Sequence, residues 1–184
     1  MIYINDDIDS LYIDSALLEM SEQRRDKVLS FKHELERKQS AAAYLLLKQA
    51  LSQEYGITDN PVFDYAEGGK PMLRDYPQIH FNLSHCKTGA VCAVSDKPIG
   101  IDIESIRKFN PELACYVLND AECDAVIGAE RRDVAFIKLW TMKESLLKLT
   151  GEGLRTDLKT VLLSTDARFT TVVGRTYIYT VCVP

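Results

Sequence analysis

Ile99-Gly100-Ile101-Asp102-Ile103-Glu104 alternates apolar and carboxylate side chains at a period of two. That is the side-chain period of a β-strand. With Ile99, Ile101 and Ile103 turned to a core, Asp102 and Glu104 stand on the opposite face, one strand repeat apart. Two readings are open on these residues alone. One is an antiparallel strand with one wet face, which needs no ligand. The other is a pair of hard oxygen ligands for a cation such as Mg²⁺.

The chain has 184 residues, enough for a packed core in one domain or two small ones. A net charge of −5 argues against a general nucleic-acid or anionic-membrane binder, since both need a cationic surface. No partner nucleic acid or membrane is therefore expected, although a local basic patch remains compatible. The five cysteines show no CxxC or zinc-knuckle spacing, and several lie in apolar runs such as Ala90-Val91-Cys92-Ala93-Val94. Reduced thiols of this kind suit a cytoplasmic protein. The start, Met1-Ile2-Tyr3-Ile4-Asn5-Asp6-Asp7, lacks the basic and apolar regions of a signal peptide. The longest apolar run, Ala41 to Leu47, is too short to span a bilayer.

Moving outward from the hexapeptide, Met1 to Ile4 reads as a strand. A helix is expected from Asp14 or Ser15 to about Leu29, and a second from Glu34 to Tyr55, stopped by Gly56. Val62 to Tyr65 and a turn at Glu67-Gly68-Gly69-Lys70-Pro71 follow. Ile79 to Leu83 reads as a strand that breaks at Ser84 to Gly89, and Ala90 to Val94 as its apolar successor. After the hexapeptide, helices are expected from Asn110-Pro111, from Asp120 to Gly128, and from Arg132 to Leu149. Thr160 to Leu163, Phe169 to Val173 and Thr176 to Val183 read as strands around a turn at Gly174. The pattern is two runs, each with a leading strand, helices and closing strands. Ala90-Val91-Cys92-Ala93 even rhymes with Thr180-Val181-Cys182-Val183. The expected fold is α+β, with two similar halves (residues 1–97 and 98–184) packed as a pseudo-dimer.

The long helix of the second half bears on the open question. Ile137, Trp140 and Leu147 share one face, and Glu144 falls on that same stripe. A carboxylate among apolar residues is costly to bury unless something pairs with it. It either reaches the edge to pair with Lys148 at i,i+4, or points inward to join Asp102 and Glu104 around Mg²⁺. Both readings fit the spacing. Lys143 and Lys148 bracket Glu144, which would let a cluster of acids accept a polyphosphate. Three scattered histidines make no zinc site, and Walker-A, GxGxxG and GxSxG motifs are absent.

Ile99 to Glu104 (IGIDIE) followed by Leu139 to Lys148 (LWTMKESLLK), and preceded by Phe81-Asn82-Leu83-Ser84-His85, resembles the 4′-phosphopantetheinyl transferases. The spacing matches the monomeric surfactin-synthetase-activating type, and the resemblance runs from about Arg24 to Leu154. It implies a cleft between two similar halves in which coenzyme A binds. Asp102, Glu104 and Glu144 would hold Mg²⁺. Lys148 would contact the phosphates, with Lys143 assisting, while Ser84, His85 and Lys70 would hold the 3′-phosphate end. Glu144 is the expected base, with Asp102 and Lys148 the other catalytic residues. The acceptor would be a serine of an apo acyl or peptidyl carrier protein, docked on Arg107 and Lys108. A non-catalytic coenzyme A or nucleotide-binding module of the same fold, and a magnesium-dependent phosphohydrolase, are the alternatives. Glu36-Arg37-Lys38-Gln39 departs from the family pattern: glutamine stands where an arginine is usual, so either coenzyme A affinity is lower or Arg37, Lys38 or another cation compensates.

Overall fold

The computed structural model describes residues 1–153 and 157–184; Leu154, where the resemblance ends, lies outside them. The elements run β1 (Ile2–Asn5), α1 (Ile13–Leu18), α2 (Glu22–Leu29), α3 (Glu34–Tyr55), β2 (Phe63–Tyr65), β3 (Pro71–Leu73), β4 (His80–Cys86), β5 (Gly89–Ser95) and β6 (Gly100–Ser105). Then come α4 (Pro111–Val117), α5 (Asp120–Gly128), α6 (Arg132–Thr150), β7 (Arg168–Val173) and β8 (Tyr177–Val183). The α+β class is as expected.

Two antiparallel sheets share one topology. Their strand orders are β1-β5-β4 and β6-β8-β7, so in each the first strand pairs with the last and the last with its hairpin partner. The long helix α3 packs on the first sheet and α6 on the second. Ala42, Ala43, Leu46, Leu47 and Ala50 of α3 bury against Phe81, Ala90, Cys92 and Val94. This explains the nearly all-apolar centre of α3, which needs one face for the sheet and another for Ala16, Met20 and Val28 of the preceding helices and their connection.

The two sheets meet through β4, β5 and β6. Cys86, Val91 and Ala93 pack against Ile99, Ile101 and Ile103. Along this seam, side chains of β4 satisfy the backbone of β6: Ile101 N donates to Asn82 Oδ1 at 3.2 Å, and Ile103 N donates to Ser84 Oγ at 3.3 Å. Buried amides there thus find partners without a continuous ladder.

Several elements differ from expectation. The first expected helix is two, because Ser21 takes extended backbone, caps α2 through Arg24 N and lets Met20 bury. Strand β4 continues through Ser84 and His85, which pair with Val91 and Ala90; the break expected there is confined to Lys87-Thr88. Pro71 to Leu73 forms a short strand against Phe63 to Tyr65. Thr160 to Leu163 is a series of turns, with Thr160 N bonded to Asp157 O and Leu163 N to Thr160 O, and Leu163 is exposed. That apolar run offers too little buried surface to hold a strand. Among the described residues, no helix is long and apolar enough to cross a membrane.

Candidate active site

Helix α6 lies across the face of β6 that carries Gly100, Asp102 and Glu104. The approach is so close that a Cβ at Gly100 would overlap the Ser145 carbonyl oxygen and stand 2.7 Å from Leu149 N. The carboxylate face is therefore covered, not wet, and Asp102 is only 4 % exposed. This corrects the simple alternation read from the hexapeptide: both faces of β6 are buried, one by isoleucines and one under a helix.

Asp102 is held from two sides. Its Oδ1 accepts from Lys148 Nζ at 2.6 Å and from Ser84 Oγ at 2.8 Å, while Lys148 Nζ also donates to Ser84 Oγ at 2.8 Å. A strand of one sheet, a strand of the other and a helix thus meet in a three-residue cluster. Asp102 Oδ2 is buried and accepts no hydrogen bond, which is costly for a carboxylate oxygen. Glu104 accepts from Trp140 Nε1 at 3.1 Å through Oε1 and from Arg107 Nη1 at 3.1 Å through Oε2. Burial, then the Asp102 charge, pushes the Glu104 carboxyl above its ordinary range. Glu144 is raised for the same two reasons in the same order, with Lys148 opposing and Glu104 adding.

Leu83, Ser84, His85, Asp102, Glu104, Trp140, Glu144 and Lys148 line one cavity of about 340 Å³. Leu83, Glu144 and Lys148 also line a neighbouring cavity of about 410 Å³, walled by Gly68 to Pro71 and by Gly151 and Gly153. The two adjoin at Leu83, Glu144 and Lys148, making a groove walled by β4 and α6. His85 reaches solvent at its mouth; its pKa is lowered by desolvation on its protein side, then by the charges of Lys148 and Arg24. Lys70 also lines the groove, its Nζ donating to Leu149 O at 2.8 Å at the C-terminal end of α6, and burial lowers its pKa.

Of the expected site residues, Asp102, Glu104, Glu144, Lys148, Ser84, His85 and Lys70 line this groove. Lys143 does not. It is 1 % exposed, and its Nζ binds both oxygens of Glu122 at 2.8 Å and Leu158 O at 2.7 Å. Its place on α6 turns it toward α5, so it pins helices together and has no donor left for a phosphate. Arg37 and Lys38 also bond elsewhere: Arg37 donates to Phe31 O and Leu29 O, and Lys38 to Asp9 O, and neither lines the groove. Beside the buried Gln39, Arg24 donates to Ser40 O and Ser40 Oγ, stacks over Tyr44 and keeps a buried, unbonded Nε. Trp140 lines the groove and Arg24, on a separate small cavity, bears on it through its charge at His85; the sequence singled out neither by role. Arg24 lay in a basic run of α2 with nothing to mark it from its neighbours, and Trp140 read as core.

Among the described residues, no group of three His, Cys, Asp or Glu side chains stands ready to hold a metal ion. The donors nonetheless suit Mg²⁺ in kind: three carboxylates on one cavity, one with an orphaned buried oxygen and two with raised pKa, in an excess of negative charge. Asp102 Oδ2 is open to it, while Lys148 on Asp102 Oδ1 and Arg107 on Glu104 Oε2 occupy oxygens that it would share.

Carboxylates and cations thus meet across a seam between two like sheets. Residues 98–179 match the family model of the 4′-phosphopantetheinyl transferase superfamily. The chain is 33 % identical over 156 residues to the 4′-phosphopantetheinyl transferase psf-1 of Bacillus pumilus, covering 82 % of this chain and 67 % of that one. It is 31 % identical over 138 residues to the 4′-phosphopantetheinyl transferase Sfp of Bacillus subtilis (strain 168), covering 73 % and 62 %. With gsp of Aneurinibacillus migulanus, also a 4′-phosphopantetheinyl transferase, it shares 38 % over 113 residues, 60 % of this chain and 47 % of the relative. The protein belongs to the 4′-phosphopantetheinyl transferase superfamily. Its matches to psf-1 and Sfp span about two thirds of those relatives' length.

Proposed function

We propose that this protein transfers the 4′-phosphopantetheine group of coenzyme A to a serine of an apo acyl or peptidyl carrier protein, releasing 3′,5′-ADP, in a Mg²⁺-dependent reaction. The observation that carries this reading is the convergence of Asp102, Glu104, Glu144 and Lys148 with Ser84 and His85 on one groove. Psf-1 and Sfp, both 4′-phosphopantetheinyl transferases, support the group transferred.

The division of the chain at 97/98 puts β4 and Lys70 of one half opposite β6 and α6 of the other, with the donor lying along the seam. Asp102, Glu104 and Glu144 would hold Mg²⁺. When bound, the ion supplies charge stabilisation on the pyrophosphate. Lys148 turns from Asp102 to the phosphates, a move its long stem and 28 % exposed side chain allow. His85, exposed at the groove mouth, and Ser84, once its hydroxyl turns from Asp102, donate to the 3′-phosphate, with Arg24 and Lys70 adding positive charge. Glu144 accepts the proton of the serine hydroxyl as its oxygen bonds to the β-phosphorus; the bond from that phosphorus to 3′,5′-ADP breaks. A carboxyl raised by burial is a stronger base than one in water, which suits this role. Coenzyme A as donor and reduced cysteines support a cytoplasmic location, and a groove built within one chain supports action as a monomer.

Incubating the protein with coenzyme A, Mg²⁺ and a panel of apo carrier proteins tests this by mass spectrometry. Carriers gain one phosphopantetheine, and E144Q abolishes the gain. Binding of coenzyme A without any gain would assign a non-catalytic module; coenzyme A cleavage without a carrier would assign a hydrolase.

A further inference from the structure

The turn from Ala66 to Lys70 joins β2 to β3, a hairpin of two three-residue strands. So short a ladder does not fix by itself where its tip lies. Within the turn, Gly69 takes a φ of +79° and donates its N to Ala66 O at 2.8 Å, and Ala66 N donates to Lys70 O at 2.9 Å. These bonds set the shape of the tip, not its place.

The tip lies against the end of α6, 79 residues further along the chain. Gly68 meets Gly151 so closely that a Cβ at Gly68 would overlap the Gly151 carbonyl oxygen, and a Cβ at Gly151 would touch the Lys70 stem at 3.5 Å. Lys70 Nζ donates to Leu149 O at 2.8 Å. That carbonyl is one of the last of α6, beyond the reach of the helix's own ladder, because the chain turns at Gly151 with a φ of +80°. A cation is the favoured partner at that end of the helix dipole. Among the described residues Lys70 has no carboxylate within ion-pair distance, so its ammonium is held by this carbonyl.

Both sides of this contact wall the cavity of about 410 Å³, the tip on one side and Lys148 and Gly151 on the other. Leu149 directly follows Lys148, whose Nζ belongs to the cluster with Asp102 and Ser84. Parting the tip from α6 therefore widens the cavity and loosens the turn of helix that carries Lys148.

We infer that Lys70 is a positioning residue: its ammonium clasps the Gly68–Pro71 tip to the C-terminal end of α6, and so sets the width of the coenzyme groove and the seat of Lys148. What the groove holds rests on the transferase reading; the clasp itself can be read in the unliganded protein. A direct grip on the 3′-phosphate would matter only to a donor that carries that phosphate. A clasp matters as much to 3′-dephospho-coenzyme A, and charge acting from a distance adds only a small difference between the two.

Amide hydrogen exchange of the unliganded protein reads the clasp, and calorimetric titration with coenzyme A and with its 3′-dephospho form reads the consequence. In K70M the Gly151 amide, bonded to Leu147 O, is expected to exchange at least about fivefold faster than in wild type. Both donors are expected to bind about fivefold more weakly, with the ratio of their affinities changed less than about twofold. K70R, which reaches the same carbonyl, restores both readings. G68A, whose added Cβ pushes the tip off Gly151, reproduces the K70M result with the ammonium intact. Unchanged exchange in K70M overturns the clasp. Faster exchange with both affinities unchanged overturns the positioning role, and a loss confined to coenzyme A overturns it in favour of a direct phosphate contact. A wild type that binds neither donor overturns the transferase reading, and the exchange rates then decide the clasp alone.

Discussion

Lys148 Nζ lies 2.6 Å from Asp102 Oδ1, and this pair joins α6 to the strand that decides the fold. The ammonium's positive charge also opposes that of a divalent cation held at Asp102 Oδ2, the oxygen left without a partner. Lysine and metal are therefore expected to compete for Asp102. Removing the lysine leaves a 4 % exposed carboxylate without its cation, a loss of about 2 kcal/mol. K148A is expected to unfold at lower urea concentration than wild type in EDTA, and to regain more stability than wild type when Mg²⁺ is added, by mass action on the folded state. Phosphopantetheinyl transfer falls at the same time. Equal Mg²⁺ stabilisation of the two proteins would contradict the competition.

Glu144 supplies a prediction in pH. Folding raises its pKa, first by burial and then by the charge of Asp102. Such a carboxyl binds its proton more tightly folded than unfolded. Its contribution favours folding below the ordinary carboxylate range and is lost as pH rises through the raised folded value. At neutral pH the ionised group therefore costs stability, and E144Q removes that cost. The variant is expected to have a higher urea midpoint than wild type at pH 7 without Mg²⁺, and an equal one near about pH 4. It is also expected to be inactive, the trade between stability and activity that a catalytic carboxylate entails. A lower midpoint for E144Q at pH 7 would mean that Glu144 is paired, not strained.

Gly100 sets how closely α6 approaches β6. A Cβ there meets backbone atoms of Ser145 and Leu149, which cannot rotate away. G100A must push the helix outward, at a cost of about 2 to 4 kcal/mol. The shift also carries Glu144 and Lys148 away from β6, so under the proposed function weaker coenzyme A binding should accompany the lost stability. Calorimetry and denaturant titration measure the two together. The helix still forms, and far-ultraviolet circular dichroism is expected to change little.

How much of this was legible depends on which link of the chain a residue serves. The strand at Ile99 and the helix from Arg132 are set by local periodicity and capping, and both stand within about a residue of where pattern reading puts them. The rhyme of Ala90-Val91-Cys92-Ala93 with Thr180-Val181-Cys182-Val183 had a cause that sequence alone could not show: β5 and β8 are the central strands of the two sheets, and both need small or branched side chains between covered faces. The burial of Asp102 was not legible, since alternation cannot say whether a polar face meets water or a helix. The same holds for Ser84, whose hydroxyl makes β4 continuous because Asp102 and Ile103 N take it up. Turn-forming residues signalled a break, and a tertiary contact overrode them.

Lys143 is the clearest case of a residue placed by sequence and reassigned by packing. Next to Glu144 in the chain, it faces α5, where Glu122 and Leu158 O take its ammonium. Removing one partner of a buried pair costs more than removing both, because the survivor keeps its charge without compensation. K143M is expected to lose about 3 kcal/mol in denaturant titrations, and K143M/E122Q to recover a substantial part of it. Because the ammonium has no donor left for the groove, K143M assayed well below its melting temperature is expected to keep wild-type KM for coenzyme A. K148A should not. A rise in KM for K143M as large as that of K148A, with the fold intact by circular dichroism, would return Lys143 to the binding site.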